Sequence, residues 1–274
     1  VRVRLVLNPL SRRGRQLGDV VRADLRRLHV EIVQEEAAPV PIDAVVVGGG
    51  DGTVARQIPH AIELGVPIGV VPLGTFNDLA RTLAIPLDVA GACATIAAGR
   101  TRTIDVARVN GVYYTTEASV GISSRLARRQ RPEEKQRFGV FAIAASLLQL
   151  VRFARPFGAD IVYDGTHARV RTIQLTVANA QRFGGVITVE DASIDDGWLD
   201  CYAVEIESLP QLLSVGGAIF AGRRRSIRGL QTFRSTAFDI RTRHRHHVTA
   251  DGEPAGTTPA CFEIRPKALR VFAP

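Results

Sequence analysis

Over the first hundred positions, short apolar runs alternate with segments whose apolar residues recur every three or four places. Runs of the first kind predict buried strands, and the second spacing predicts helices lying on them. Strands are expected at residues 1–7, 29–34, 44–47 and 68–71, and helices at 16–28, 53–64, 78–83 and 90–98. This alternation is the signature of an α/β layer with a mostly parallel sheet. After Gly99 the pattern changes to β-branched and polar residues in alternation, broken by turn signals, in 105–114, 160–163, 169–178, 199–206, 237–243 and 261–265. That half predicts an antiparallel, β-rich lobe, interrupted by helical stretches around 133–153 and 210–220. The expected division is residues 1–102 and 103–274, with the last few residues able to pack back on the first lobe.

Composition narrows the possibilities. A chain of 274 residues, 46% hydrophobic, can bury two cores, and its formal charge of +8 favours anionic partners. Only 6% of the residues are aromatic, which leaves little surface for base stacking and argues against nucleic acid. Lys135 and Lys267 are the only lysines among 35 basic residues, and the arginines are scattered. Cys93, Cys201 and Cys261 form no C-x-x-C pair and cannot all be matched in disulfides, which points to a reducing, cytoplasmic setting. The longest apolar stretch, residues 138–148, is too short to span a bilayer. A monomer and a homodimer are both compatible with the pattern.

The strand Val45-Val46-Val47 leads into Gly48-Gly49-Gly50-Asp51-Gly52-Thr53. Residues without Cβ let backbone N–H groups approach a phosphate, and the following helix adds its positive end. The plainer alternative is a tight strand-to-helix turn. The segment lacks the Lys-Ser/Thr ending of a Walker loop and the third glycine of a dinucleotide fingerprint. Asp51 would repel bare phosphate, so the expected ligand is ATP carrying Mg2+. A second turn, Pro72-Leu73-Gly74-Thr75-Phe76-Asn77-Asp78, falls at the same carboxyl edge of the sheet, although Asn77 or Asp78 could serve only as a helix cap.

With these turns in view, the sequence resembles the diacylglycerol kinase catalytic-domain family of lipid kinases, which includes sphingosine kinases and bacterial soluble lipid kinases. The likeness runs through Asn8-Pro9-Leu10-Ser11, Gly49 to Thr53, Pro72 to Arg81, Glu117-Ala118-Ser119-Val120-Gly121, Val177-Ala178-Asn179, Gly184-Gly185, Asp191 to Asp200, and Asp251-Gly252-Glu253-Pro254. It implies a three-layer, Rossmann-like α/β lobe of NAD kinase type for ATP, a β-sandwich lobe, and a cleft between them where a lipid hydroxyl is phosphorylated. It also implies that Asn8, Gly49, Gly50, Asp51, Gly52 and Thr53 cradle the phosphates, with Gly74, Thr75, Asn77 and Asp78 completing the nucleotide site. In the Asp-Gly-Glu motif, Glu253 is the first candidate for general base and Asp251 the second; alone, Asp-Gly would suggest a β-turn.

The segment from Ser193 to Trp198 is similar to the structural magnesium loop of bacterial relatives. That likeness makes Asp196 the side-chain ligand, with carbonyls from Ser193 and Trp198; the alternative is an acidic turn without metal. The chain departs from the family pattern where Ala55-Arg56 stands for Asn-Glu and Glu117 for asparagine. His244, His246 and His247 suggest an exposed strand more than zinc. Arg223-Arg224-Arg225 and Arg228 would suit either transient contact with anionic membrane or a solvated loop, and residues 138–153 either a lipid mouth or a core helix. The competing functions are an NAD kinase-like nucleotide kinase, against which the late Asp-Gly-Glu motif speaks, and a catalytically idle nucleotide-binding module.

Overall fold

The computed structural model describes residues 1–8, 12–33, 41–122, 155–183, 187–188, 193–205 and 229–274. The helices expected around 133–153 and 210–220, Gly184-Gly185 and the Arg223 to Arg228 segment lie outside them.

Four parallel strands, β1 (Arg2–Leu7), β2 (Glu31–Val33), β3 (Ala44–Gly49) and β4 (Ile68–Pro72), lie in the order β2-β1-β3-β4. β3 and β4 are buried throughout, which is why they read as unbroken apolar runs. Helices α1 (Arg12–Arg27) and α4 (Val89–Ala97) pack together, while α2 (Asp51–Leu64) joins β3 to β4. The strand order reverses between β1 and β3, so right-handed crossovers put α1 and α2 on opposite faces of the sheet. A short helix, α3 (Asp78–Thr82), follows β4. The ends are capped as the chemistry requires: the Asp88 carboxylate accepts from the Gly91 amide ahead of α4, and Gly65 closes α2 in the left-handed conformation at φ 65°.

The second half joins this sheet and also builds another. β5 (Thr101–Val109) turns through Asn110-Gly111, at φ 50° and 87°, into β6 (Val112–Tyr114), the geometry an Asn-Gly hairpin needs. β18 (Ala260–Phe272) pairs along one edge with β5. Along its other edge it pairs first with β15 (Ala237–Thr242), through residues 260–263, and then with β4, through Val271 and Ile68. β8 (Phe157–Tyr163) and β9 (Thr166–Thr172) extend the sheet beyond β15 to ten strands. A separate antiparallel sheet runs β14 (Leu230–Ser235), β13 (Leu199–Val204), β10 (Gln174–Ala178), β7 (Glu117–Gly121), β16 (His247–Ala250), β17 (Glu253–Thr257). β11 (Arg182–Phe183) and β12 (Ile187–Thr188) form a small hairpin.

Two cores follow. Val45, Val46, Val47, Ile68 and Val71 pack with Val21, Leu25, Ile58 and Ile96 of the helices in the first. In the second, Tyr114, Phe238 and Phe262 of the large sheet meet Val120, Leu175, Val177 and Leu199 of the antiparallel one. This is a sandwich packed face to face, each inner face supplying alternate residues. The single strand expected over 169–178 is instead two, because the chain passes between sheets at Ile173, where the Thr172 hydroxyl bonds the Gln174 backbone across the break. His244 and His246 precede β16 and do not form a strand, and His246 stacks on Phe157 with ring centroids 4.2 Å apart. Phe262 is fully buried between the sheets. Phe262→Ala is therefore expected to lower stability by about 3–5 kcal/mol, read from the midpoint of urea denaturation.

Candidate active site

β1, β3 and β4 end at one edge of the parallel sheet, and the glycine turns stand there side by side. Gly48 and Gly49 finish β3, Gly50 caps α2, and Asp51-Gly52-Thr53 form its first turn, so α2 starts two residues earlier than its periodicity predicts. An acid in the first turn suits the positive end of the helix. No side chain caps this terminus, where the Thr53 amide donates to the Gly50 carbonyl at 2.9 Å. Asn8, following β1, donates its backbone N–H to the Gly48 carbonyl at 3.1 Å and its side-chain amide to Thr53 Oγ1 at 3.2 Å.

The second turn is locked onto the first. The Leu73 amide donates to the Gly49 carbonyl at 2.9 Å, and a Cβ on Gly74 would collide with the backbone of Gly50. Asn77 takes the left-handed conformation, φ 52° and ψ 49°, while its Oδ1 accepts from the Gly74 amide and its Nδ2 donates back to the Gly74 carbonyl. Asparagine tolerates this backbone because its short amide can make such local bonds. Asn77 and Asp78 are buried, and Thr75 is exposed at the tip. Asp51 Oδ1 accepts from the Leu79 amide at 3.1 Å, tying the phosphate turn to α3.

The antiparallel sheet reaches the same edge through the turn between β16 and β17. Asp251 and Gly252 make this turn at φ 44° and 81°, so the plain Asp-Gly reading holds for the backbone. The Asp251 side chain goes further. Its carboxylate accepts from the backbone amides of Thr115, Thr116 and Glu117 and from both threonine hydroxyls. Glu253, next on β17, lies over the first turn of α2: a Cβ on Gly52 would come 2.6 Å from Glu253 Cγ. Arg56, one helical turn beyond Gly52, pairs with Glu253 Oε1 at 2.8 Å. Asn8, Gly49, Gly50, Asp51, Gly52, Thr53, Gly74, Asn77, Asp78, Asp251 and Glu253 thus converge where the two sheets meet.

The charge there is acidic and confined. Burial, and then the neighbouring charge of Asp251, raise the Asp51 carboxyl above the usual carboxylate range. Glu117 is raised further, to about 8, by burial first and then by Asp251 and Asp78. The fully buried Tyr114 phenol is raised by burial first and then by the same Asp251 charge. In the sequence Arg56 stands out only as a departure from the family pattern, Glu117 as a departure at the head of a matching segment, and nothing marks Thr115 or Thr116. An acid within the apolar run of β7 was the available signal for Glu117; nothing in the sequence pairs Arg56 with residue 253.

Ser193, Asp196 and Trp198 lie on the loop before β13, and that loop is held by cationic side chains. Asp196 Oδ2 pairs with Arg234 Nη2 at 2.5 Å, and its Oδ1 accepts from the Trp198 amide at 3.0 Å. Arg234 also lies 5.8 Å from the centre of the Trp198 ring, within cation–π range. Asp195 is paired with Arg102 at 2.6 Å and bonded by the Ser193 hydroxyl, while Lys267 Nζ donates to the Asp195 carbonyl at 2.7 Å. With both Asp196 oxygens engaged, a divalent ion binding through this carboxylate would have to displace Arg234. Among the described residues no group of three or more His, Cys, Asp or Glu side chains is placed to hold a metal ion.

Two checks follow. Below the ordinary glutamate range both native and unfolded Glu117 are protonated. Between that range and pH 8 only the native state keeps the proton, so stability is expected to fall with rising pH, by at most about 1.4 kcal/mol per unit. Thermal melts across pH 5–9 test this, and Glu117→Gln should flatten the slope. For the acidic loop, nucleotide-free protein should melt at the same temperature in Mg2+ and in EDTA, whereas Arg234→Ala should melt lower in both.

The profile of the family described as the diacylglycerol kinase catalytic domain matches residues 2–109, and that of the YegS C-terminal NAD kinase beta sandwich-like domain matches residues 116–273. A protein of Mycobacterium tuberculosis called diacylglycerol kinase is 32% identical over 85% of this chain and 77% of its own length. An uncharacterized protein of Synechocystis is 29% identical over 84% of this chain, which spans only 54% of that relative. Among solved structures, a diacylglycerol kinase from Bacillus anthracis superposes with a TM-score of 0.76 over 100% of this chain and 97% of its own, at 22% identity, a likeness of fold.

Proposed function

This chain belongs to the diacylglycerol kinase catalytic-domain family of lipid kinases, and we propose that it transfers the γ-phosphoryl group of ATP to a hydroxyl of diacylglycerol or a related lipid. The observation that carries the proposal is the position of Glu253, a carboxylate from the second sheet laid against Gly52 in the first turn of α2. An acceptor entering between the sheets would meet the nucleotide's terminal phosphate and this acid together.

In this reading the α2 amides, Asn8 and Thr53 bind the phosphates, and the turn from Gly74 to Asp78 shapes the rest of the nucleotide site. Asp51 fits an oxygen-preferring divalent ion, since its carboxyl is raised by burial and by Asp251 and would gain from a nearby cation. Mg2+ arriving with ATP would be held there, neutralising charge on the phosphates. Glu253 takes the proton of the acceptor hydroxyl as its oxygen bonds to phosphorus, while the bond to the bridging oxygen breaks and ADP departs. Asp251 is better suited to positioning, because its carboxylate is already committed to the Thr115 to Glu117 segment. Among the described residues no helix is long and apolar enough to cross a membrane.

Incubation with radiolabelled ATP, Mg2+ and either diacylglycerol vesicles or NAD tests the assignment. Label is expected in the lipid, and label in NAD alone would overturn it. Glu253→Gln should lower turnover about a hundredfold or more with ATP still bound, and Asp51→Ala should abolish transfer.

A further inference from the structure

Arg56 occupies a position from which it can serve two anions. It lies four residues after Gly52 on α2, on the same helix face, about 6 Å further along the axis. Helical side chains lean toward the N-terminus, so the guanidinium is carried back over the phosphate turn. No Cβ at Gly52 blocks that path, and Glu253 fills the space, meeting Arg56 at 2.8 Å. The pair is solvated, the two side chains being 59% and 41% exposed, and ion pairs of that kind are weak. A triphosphate at the α2 N-terminus would place several negative charges beside the same guanidinium, against the single charge of Glu253.

We propose that Arg56 is a γ-phosphate ligand that Glu253 holds in reserve. In nucleotide-free protein it pairs with Glu253; with ATP bound it turns to the terminal phosphate and leaves the Glu253 carboxylate to the acceptor hydroxyl. ADP, lacking that phosphate, leaves the resting pair intact. The cleft therefore presents an uncommitted acid only when a transferable group is in place. This inference rests on the kinase reading above and adds to it a residue for recognising the terminal phosphate.

Equilibrium titration of wild type, Arg56→Ala, Arg56→Lys, Glu253→Gln and the double variant Arg56→Ala/Glu253→Gln, each with MgATP and MgADP, tests it. Glu253→Gln should tighten MgATP by up to about fivefold by releasing Arg56. Arg56→Ala should weaken MgATP by a similar factor without changing MgADP, and Arg56→Lys should recover part of the loss. The gain from Glu253→Gln should be smaller in the Arg56→Ala background than in wild type, because part of it passes through the arginine. Unchanged MgADP affinity also shows that the variants are folded. Equal MgATP affinity in wild type and Arg56→Ala, or parallel loss of MgATP and MgADP, would overturn this role for Arg56 and leave the kinase reading standing. No MgATP binding by wild type would overturn both.

Discussion

A buried carboxylate on β5 holds the two halves of this protein in register. Asp105 is fully buried, and its two oxygens accept from the Lys267 amide at 2.7 Å and the Gly197 amide at 2.6 Å. Lys267 lies in the irregular stretch of β18, between Arg265 and Leu269, beyond which the strand meets β4. Its backbone is left-handed there, at φ 54°, a conformation an ordinary side chain adopts only when something fixes it. The Asp105 backbone is used as well, its N–H donating to the Ile194 carbonyl and its own carbonyl accepting from Asn179 Nδ2. One residue thus joins the strand that changes partner, the acidic loop and the end of β10. An unmet charge at this depth would be strongly destabilising, so all three segments must be in place together.

The cleft inherits its geometry from this arrangement. Asn179 passes the constraint on, donating its backbone N–H to the Thr116 carbonyl and its Nδ2 to the Thr115 carbonyl. Thr115 and Thr116 are the residues that grip Asp251, and Asp251 sets the turn that delivers Glu253 to α2. The links from Asp105 to Asp251 are polar contacts in a partly or wholly buried setting, where losing one partner strands the other. The acidic neighbourhood is the electrostatic cost of bringing Asp51, Asp78, Glu117 and Asp251 together.

Much of this was legible in the sequence where one local cause decides the outcome. Val45 to Val47 and Ile68 to Val71 read as strands because both faces are buried, and the glycines mark the two turns that close on each other at the sheet edge, where a Cβ on Gly74 would strike Gly50. The change of texture after Gly99 marked where the antiparallel strands begin. Features that depend on distant partners were not legible. The break at Ile173 carries no glycine or proline, and Asp105 looks like any polar residue in an alternating strand until Lys267 and Gly197 are brought to it. Asp196 is shared by both readings of its loop, and its partner Arg234 lies 38 residues away, beyond the reach of local pattern. Arg56 stood out as foreign to the family pattern, but its partner is set by packing between the sheets.

The place of β18 in the chain also bears on biosynthesis. It follows every other described element and yet sits inside the ten-stranded sheet, between β5 and the edges of β4 and β15. On the ribosome, β1 to β4 and their helices can assemble early, but β4 keeps an unpaired edge until residue 271 has been made. That edge belongs to a strand that is apolar and buried in the finished fold, and open apolar edges recruit strands from other chains. A nascent chain stalled before β18 would therefore leave that edge open to strands of other chains.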